Sequence, residues 1–276
     1  MSENTPLIEH EALKSADHRE GLQHVPASVT QILPVSEELT RLVLRLPGLD
    51  TEPLWLRPNV AFRFLLDERF EQTARVYTVR RVIEGSNDIE VDIVRHGEHS
   101  PMMRWLDSLQ LGDQVNIIGP RPHVHFPPAE GRDTVVFADS TAIPALYSLL
   151  AQAPAQLRGR GWVATTDQLA FDELPQLEHF ILERIEPGKG FGRELRSLEH
   201  PESLVVWGAG ERDDMREVRS FFRQRAQLGK DRVAVFGYWK RGVSNTRIDQ
   251  VRLEAYSKLL AAGSGSAELD DLELQI

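Results

Sequence analysis

The sequence predicts two domains: an N-terminal antiparallel β-barrel and a C-terminal α/β domain on a parallel sheet. Three observations carry this. Up to residue 118, short runs alternate apolar and polar residues, the two-residue period of half-buried strands. Beyond residue 133, short apolar runs are separated by helical patterns, as in a sheet crossed over by helices. Between them, residues 119–132 hold four prolines and two glycines, which suits a joint. The expected parts are an arm over 1–24, the barrel over 25–126, the α/β domain over 127–262 and an acidic flexible tail over 263–276.

In the first half, 29–35 and 39–46 are β-rich runs joined by Ser36-Glu37-Glu38, a hairpin ended by Pro47-Gly48. Residues 60–66 alternate Val60, Phe62, Phe64 and Leu66 with Ala61, Arg63 and Leu65. The next strand contains Arg75-Val76-Tyr77-Thr78. Arg75, Tyr77 and Val79 should point one way, and Val76, Thr78 and Arg80 the other. A cation, a ring and a hydroxyl so close together suit a flat, partly anionic cofactor. Read alone, the run is better explained as an exposed strand of ordinary β-formers. Residues 89–93 and 114–118 supply two more strands, about six in all.

A helix interrupts the strands. Ser100 is its N-cap, Pro101 its first residue, and Met102, Trp105, Leu106 and Leu109 its apolar face. His96-Gly97-Glu98-His99 precede it. Turn and helix start together make an anion site, or simply an ordinary helix start between strands. His123 and His125 lack a third ligand nearby, so no metal site is expected.

In the second half the strands are 134–138, 162–165, 180–185, 204–207 and 233–238. Ser140 caps a helix with Ile143, Leu146, Tyr147 and Leu150 on one face, and Pro144 falls in its first turn. Met215, Val218 and Phe222 mark another helix; Ile248, Val251, Ala255 and Leu259 mark the last. Parallel sheets bind ligands at the carboxyl ends of their strands. Two turns are expected there, Asp139-Ser140-Thr141-Ala142 and Gly208-Ala209-Gly210-Glu211. The glycine-rich 187–192 lacks dinucleotide-fingerprint spacing and reads as a loop.

The net charge of −10, from 42 acidic and 32 basic residues, argues against general nucleic-acid binding. No run of eighteen apolar residues indicates a membrane span, and the polar first twenty residues are not a signal peptide. Without cysteine there is no disulfide, thiolate metal site or cysteine nucleophile. A cytoplasmic protein, monomer or weak dimer, is expected.

The order of motifs resembles the ferredoxin–NADP reductase superfamily, and within it the siderophore-interacting protein family of flavin-dependent ferric-siderophore reductases. Arg75-Val76-Tyr77-Thr78 resembles the flavin-binding Arg-x-Tyr-Thr. His96-Gly97, Ser100-Pro101 and Trp105 resemble the stretch that holds the FAD pyrophosphate. Gly112-Asp113 and Gly119-Pro120-Arg121 are similar to the closing barrel strand. Asp139 to Pro144 resemble the nucleotide turn, with Ala138 and Ser140 in place of the usual Gly and Glu. Trp207-Gly-Ala-Gly-Glu211 resembles Trp-x-Ala-Gly-Glu, and Gly237-Tyr-Trp-Lys-Arg-Gly242 resembles Tyr-Trp-Arg-x-Gly.

The resemblance implies FAD, with NADPH or NADH as donor. The implied cofactor contacts are Arg75, Val76, Tyr77, Thr78, Asp92, His96, Gly97, Ser100, Pro101, Met102 and Trp105 for flavin. For the dinucleotide they are Asp139, Thr141, Ala142, Gly208, Ala209, Gly210 and Glu211. It implies a ferric siderophore or other ferric chelate as substrate, with electrons passing through flavin and no catalytic acid or base. Such chelates are often anionic and need a local basic rim on an acidic protein, for which Arg57, Arg63, Arg121, Lys240 and Arg247 are candidates. Thr165-Thr166-Asp167 lies where an adenosine ribose would bind, and an Asp there disfavours a 2′-phosphate. The competing readings are a flavin-dependent reductase of a protein partner such as ferredoxin, and a non-enzymatic siderophore-binding protein.

Overall fold

Seven strands make one antiparallel sheet in the computed structural model, which describes residues 23–96, 100–123 and 125–243. They are β1 (Gln23–Pro34), β2 (Leu39–Arg45), β3 (Val60–Leu65), β4 (Ala74–Thr78), β5 (Arg81–Val82), β6 (Asp88–Val94) and β7 (Gln114–Pro122). Their order is β4-β3-β7-β1-β2-β6-β5. The outer strands β4 and β5 are one stretch of chain. Val79 N still donates to Val60 O of β3 at 2.8 Å, and Arg80 N already donates to Glu90 O of β6 at 2.9 Å. The chain changes partner between two residues and so runs from one end of the sheet to the other, which curls the sheet into a barrel.

Helix α1 (Pro101–Ser108) plugs this barrel with Met102, Met103, Trp105 and Leu106, which join Phe62, Phe64, Ile89 and Ile117 in one core. Two expectations change. β1 starts at Gln23, inside the expected arm, because Gln23 to Ser28 pair with β7. β7 runs on through Pro122, where a joint was expected, because Val60 and Ala61 of β3 pair with Pro122 and Arg121. Tertiary partners decide both ends.

The second sheet has the order β10-β9-β8-β11-β12, all parallel. Its strands are β8 (Thr134–Asp139), β9 (Gly159–Ala164), β10 (Phe180–Ile185), β11 (Val205–Glu211) and β12 (Val233–Trp239). Helices α2 (Ile143–Ala151), α3 (Gln168–Asp172), α4 (Gly192–Arg196) and α5 (Arg212–Ser220) accompany them. Alternation along β8 feeds two cores: Val136 and Ala138 pack with Leu146 and Leu149 of α2, while Val135 and Phe137 pack with Met215 and Val218 of α5. The loop read over 187–192 ends in a helix, since Gly192 opens α4.

Leu39 of β2 belongs to the α2-side core, so the two sheets share apolar packing. Among the described residues, no helix is long and apolar enough to cross a membrane. Gly97, Arg247 and the expected helix and tail beyond residue 243 lie outside the described residues.

Candidate functional site

The β3–β4 register sorts the candidate flavin strand into two faces. Phe62 opposes Tyr77 and Phe64 opposes Arg75, whereas Ala61 opposes Thr78 and Arg63 opposes Val76. Opposed residues of an antiparallel pair share a face. Arg75 and Tyr77 therefore lie with the aromatic side of β3, and Val76 and Thr78 lie with Ala61 and Arg63. Ala61 is also opposite Arg121 of β7. Val76, Thr78, Arg63 and Arg121 are thus brought to one surface. Val76 is 48% exposed on it, an apolar patch among cations and a hydroxyl that a flat ring would cover.

On the other face Tyr77 packs edge-on against Phe64, with centroids 5.4 Å apart, and Trp105 of α1 packs on Phe64 at 4.9 Å. Burial pushes the Tyr77 hydroxyl well above its ordinary value, so it stays neutral. The ring chain ties α1 to β4. The start of α1 is as expected: Ser100 Oγ accepts from Met103 N at 3.2 Å, with Pro101 following. Met102 is buried in the barrel core, so its side chain faces inward; only its backbone is placed to serve a ligand. His96 is exposed.

The carboxyl edge of the parallel sheet is built differently. Gly208 to Glu211 are strand rather than turn, and Glu211 caps α5 by accepting from Asp213 N at 2.7 Å and Asp214 N at 3.1 Å. The glycines serve close packing. A Cβ on Gly210, whose φ is +153°, would sit 2.6 Å from the Asp139 carboxyl carbon. Asp139, not Ser140, caps the 3-10 turn (Ser140–Ala142) that leads into α2. Its carboxylate accepts from Thr141 N and Oγ1 at 2.9 and 2.6 Å, Glu211 N at 2.8 Å and Trp239 Nε1 at 2.7 Å. Burial pushes its carboxyl above the ordinary carboxylate range, and these donors oppose that. Asp139 so gathers Thr141, Glu211 and Trp239 at one edge. Trp239 was missing from the candidates; its place after Tyr238 in the motif was the available signal.

At the end of β9, Asp167 caps α3 through Ala170 N at 3.0 Å and accepts from Ser36 Oγ of the β1–β2 hairpin. Thr166 Oγ1 donates to Glu38 at 2.7 Å, and Arg184 donates to the Thr165 carbonyl at 3.1 Å. Among the basic candidates, Arg57 and Arg121 are exposed, Arg63 is half-buried and Lys240 Nζ lies 3.5 Å from Asp213. The His123 ring sits edge-on to Phe236 and Tyr238, at 5.3 and 5.9 Å.

Asp92 lies elsewhere. It is nearly fully buried and accepts both arms of Arg41, at 2.6 and 3.1 Å, with Arg80 at 3.2 Å. Its carboxylate is committed to this ion cluster, which the sequence did not reveal.

Comparison with known proteins fits this geometry. The siderophore-interacting FAD-binding domain model matches residues 64–124, and the siderophore-interacting protein model matches residues 132–242. The ferric acinetobactin reductase of Acinetobacter baumannii is 34% identical over 270 residues, 95% of this chain and 94% of that protein. The chain belongs to the siderophore-interacting protein family. Ferric vibriobactin reductase ViuB of Vibrio cholerae is 28% identical over 61% of this chain and 65% of its own. The solved siderophore-interacting protein from Acinetobacter baumannii superposes with a TM-score of 0.80 at 32% identity, covering 87% of this chain and 99% of that one. The expected fold class, a ferredoxin–NADP reductase-like barrel followed by a parallel α/β sheet, is the one found. The FAD-binding model spans β4, α1 and β7. Their donor set suits FAD: Thr78 as hydroxyl, Arg75 as guanidinium, Val76 as apolar floor and the α1 start for phosphate oxygens.

Proposed function

We propose that this protein is an FAD-dependent reductase of ferric siderophores, driven by a nicotinamide dinucleotide. The observation that carries the reading is the β3–β4–β7 register, which sets Val76 and Thr78 beside Arg63 and Arg121. One surface then offers an apolar floor, a hydroxyl and two cations. Val76 and Thr78 bear on the ring system, and Arg75 with the α1 start holds the phosphates. Arg63 and Arg121 draw an anionic iron chelate to the same surface. When bound, flavin accepts a hydride and passes electrons on singly, as Fe(III) requires. Siderophores hold Fe(III) in hard oxygen ligands, and reduction loosens that hold. No acid or base is needed at the iron, so the chain's task is to place two partners within reach.

The names of the relatives, ferric acinetobactin reductase and ferric vibriobactin reductase, support the substrate class. The dinucleotide is placed at the edge formed by Asp139, Thr141 and Glu211. At the end of β9, Asp167 and Glu38 put carboxylates where a ribose 2′-phosphate would lie, which favours NADH over NADPH. Anaerobic turnover tests the reading. The FAD-loaded protein should reduce a ferric tris-catecholate with NADH faster than with NADPH, and should not reduce ferredoxin. A colourless protein that binds the chelate without turnover would instead be a carrier.

A further inference from the structure

A partly buried ion cluster links the flavin strand to the nucleotide edge. The barrel supplies Arg41, Arg80 and Arg81 with Glu90 and Asp92. Arg80 bonds Glu90 at 3.0 Å and Asp92 at 3.2 Å, and its side chain is 4% exposed. Arg81 bonds Glu90 at 2.6 Å. Three guanidiniums thus meet two carboxylates, and the barrel's share of the cluster is one negative charge short. Glu173, at the C-terminal end of α3, supplies it. It accepts from Arg41 at 2.5 and 3.1 Å and from Arg80 at 2.9 Å. Arg80 also lies over the Tyr147 ring, 3.5 Å from its centroid.

The two ends of this linkage matter. Arg80 stands two residues after Thr78, on the stretch that closes the barrel. Tyr147 is on α2, whose first turn follows the Asp139 cap. We propose that Glu173, acting through Arg80 and Tyr147, is a positioning residue that sets the dinucleotide edge against the flavin strand for hydride transfer. The proposal rests on the reductase reading above. Other ties, Asn59 N to Ser148 Oγ at 3.0 Å and Ser36 to Asp167, hold the parts together without it. Loss of the Glu173 charge therefore shifts alignment rather than unfolding the chain. Without the Glu173 charge Arg80 loses its 2.9 Å partner and the cluster carries one positive charge in excess, so its guanidinium shifts over the Tyr147 ring.

The test uses Glu173→Gln, which keeps the shape and removes the charge, and Tyr147→Leu, which removes the ring. Stopped-flow reduction of the FAD-loaded protein by NADH should slow about tenfold at saturation in each variant, because small misalignments weigh heavily on hydride transfer. Flavin content and the apparent dinucleotide affinity should stay within about twofold. Reoxidation of dithionite-reduced protein by a ferric tris-catecholate should be unchanged. In the full-length protein as purified, amide exchange over 79–81 and 143–147 should quicken together in either variant. Unchanged hydride transfer, or equal loss in both half-reactions, overturns the positioning role. Exchange that quickens on one segment only does so too. Wild-type protein that no dinucleotide reduces overturns the reductase reading itself, and the positioning role with it.

Discussion

Strand β4 and the carboxyl edge of the parallel sheet are the two proposed ligand surfaces, and they are prepared in opposite ways. On β4, Val76 stays 48% exposed beside Thr78 and Arg63, so a ligand would complete the surface. At the sheet edge, the Asp139 carboxylate already accepts from Thr141, Glu211 and Trp239. Its function is to build the edge, and a ligand meets what it holds in place. One surface is a set of contacts and the other is a scaffold. The same class of substitution should therefore cost binding in the first and stability in the second.

The largest effect should come from the scaffold. Gly210→Val drives a side chain into the Asp139 carboxylate, 2.6 Å from the first added carbon. The expected loss is about 3 kcal/mol in urea unfolding, in the range of severe overpacking. Gly208→Val should also destabilise, because its added carbon meets the Phe137 carbonyl at 3.1 Å and Met215 sulfur at 3.2 Å. A valine at either site with wild-type stability would erase the contrast.

Arg75→Ala sharpens it from the other side. Removing one charge-assisted contact to phosphate should weaken FAD binding about tenfold to a hundredfold in a fluorescence titration. The urea midpoint should hardly move. A matching loss of stability would make Arg75 scaffold as well.

Smaller again is the rim. Arg121→Glu should slow oxidation of reduced protein by an anionic ferric chelate about fivefold at low salt, with the deficit shrinking as salt rises. A deficit insensitive to salt would point to lost packing.

The smallest effect is in pH. The bond from Arg41 holds the Glu173 carboxyl below its ordinary value of 4.5. Its folded value is depressed, so its stabilisation is present above 4.5 and is lost as pH falls through the folded value. Glu173→Gln should flatten that acid limb of the stability curve, measured by urea midpoints from neutral pH down to pH 3. An unaltered limb would mean that the carboxylate is not linked to folding.

Much of this was legible in the chain itself. The alternation in 60–66 and 89–93, the Ser100-Pro101 helix start and the strand–helix period beyond residue 133 are local patterns. Each is set by neighbours a few residues away, and local sterics and burial read them directly. The two faces of β4 also follow from alternation alone. What only the tertiary structure decided lies at long range. Whether Gly208 to Glu211 turn or pair depends on β12 and β8 alongside them. That Thr78 shares a surface with Arg121 depends on register through Ala61. The ion cluster joins Arg41 to Asp92 across 51 positions, Arg80 to Glu173 across 93 and Arg41 to Glu173 across 132. These pairs form where tertiary packing brings distant groups together, and no local pattern encodes which distant carboxylate arrives.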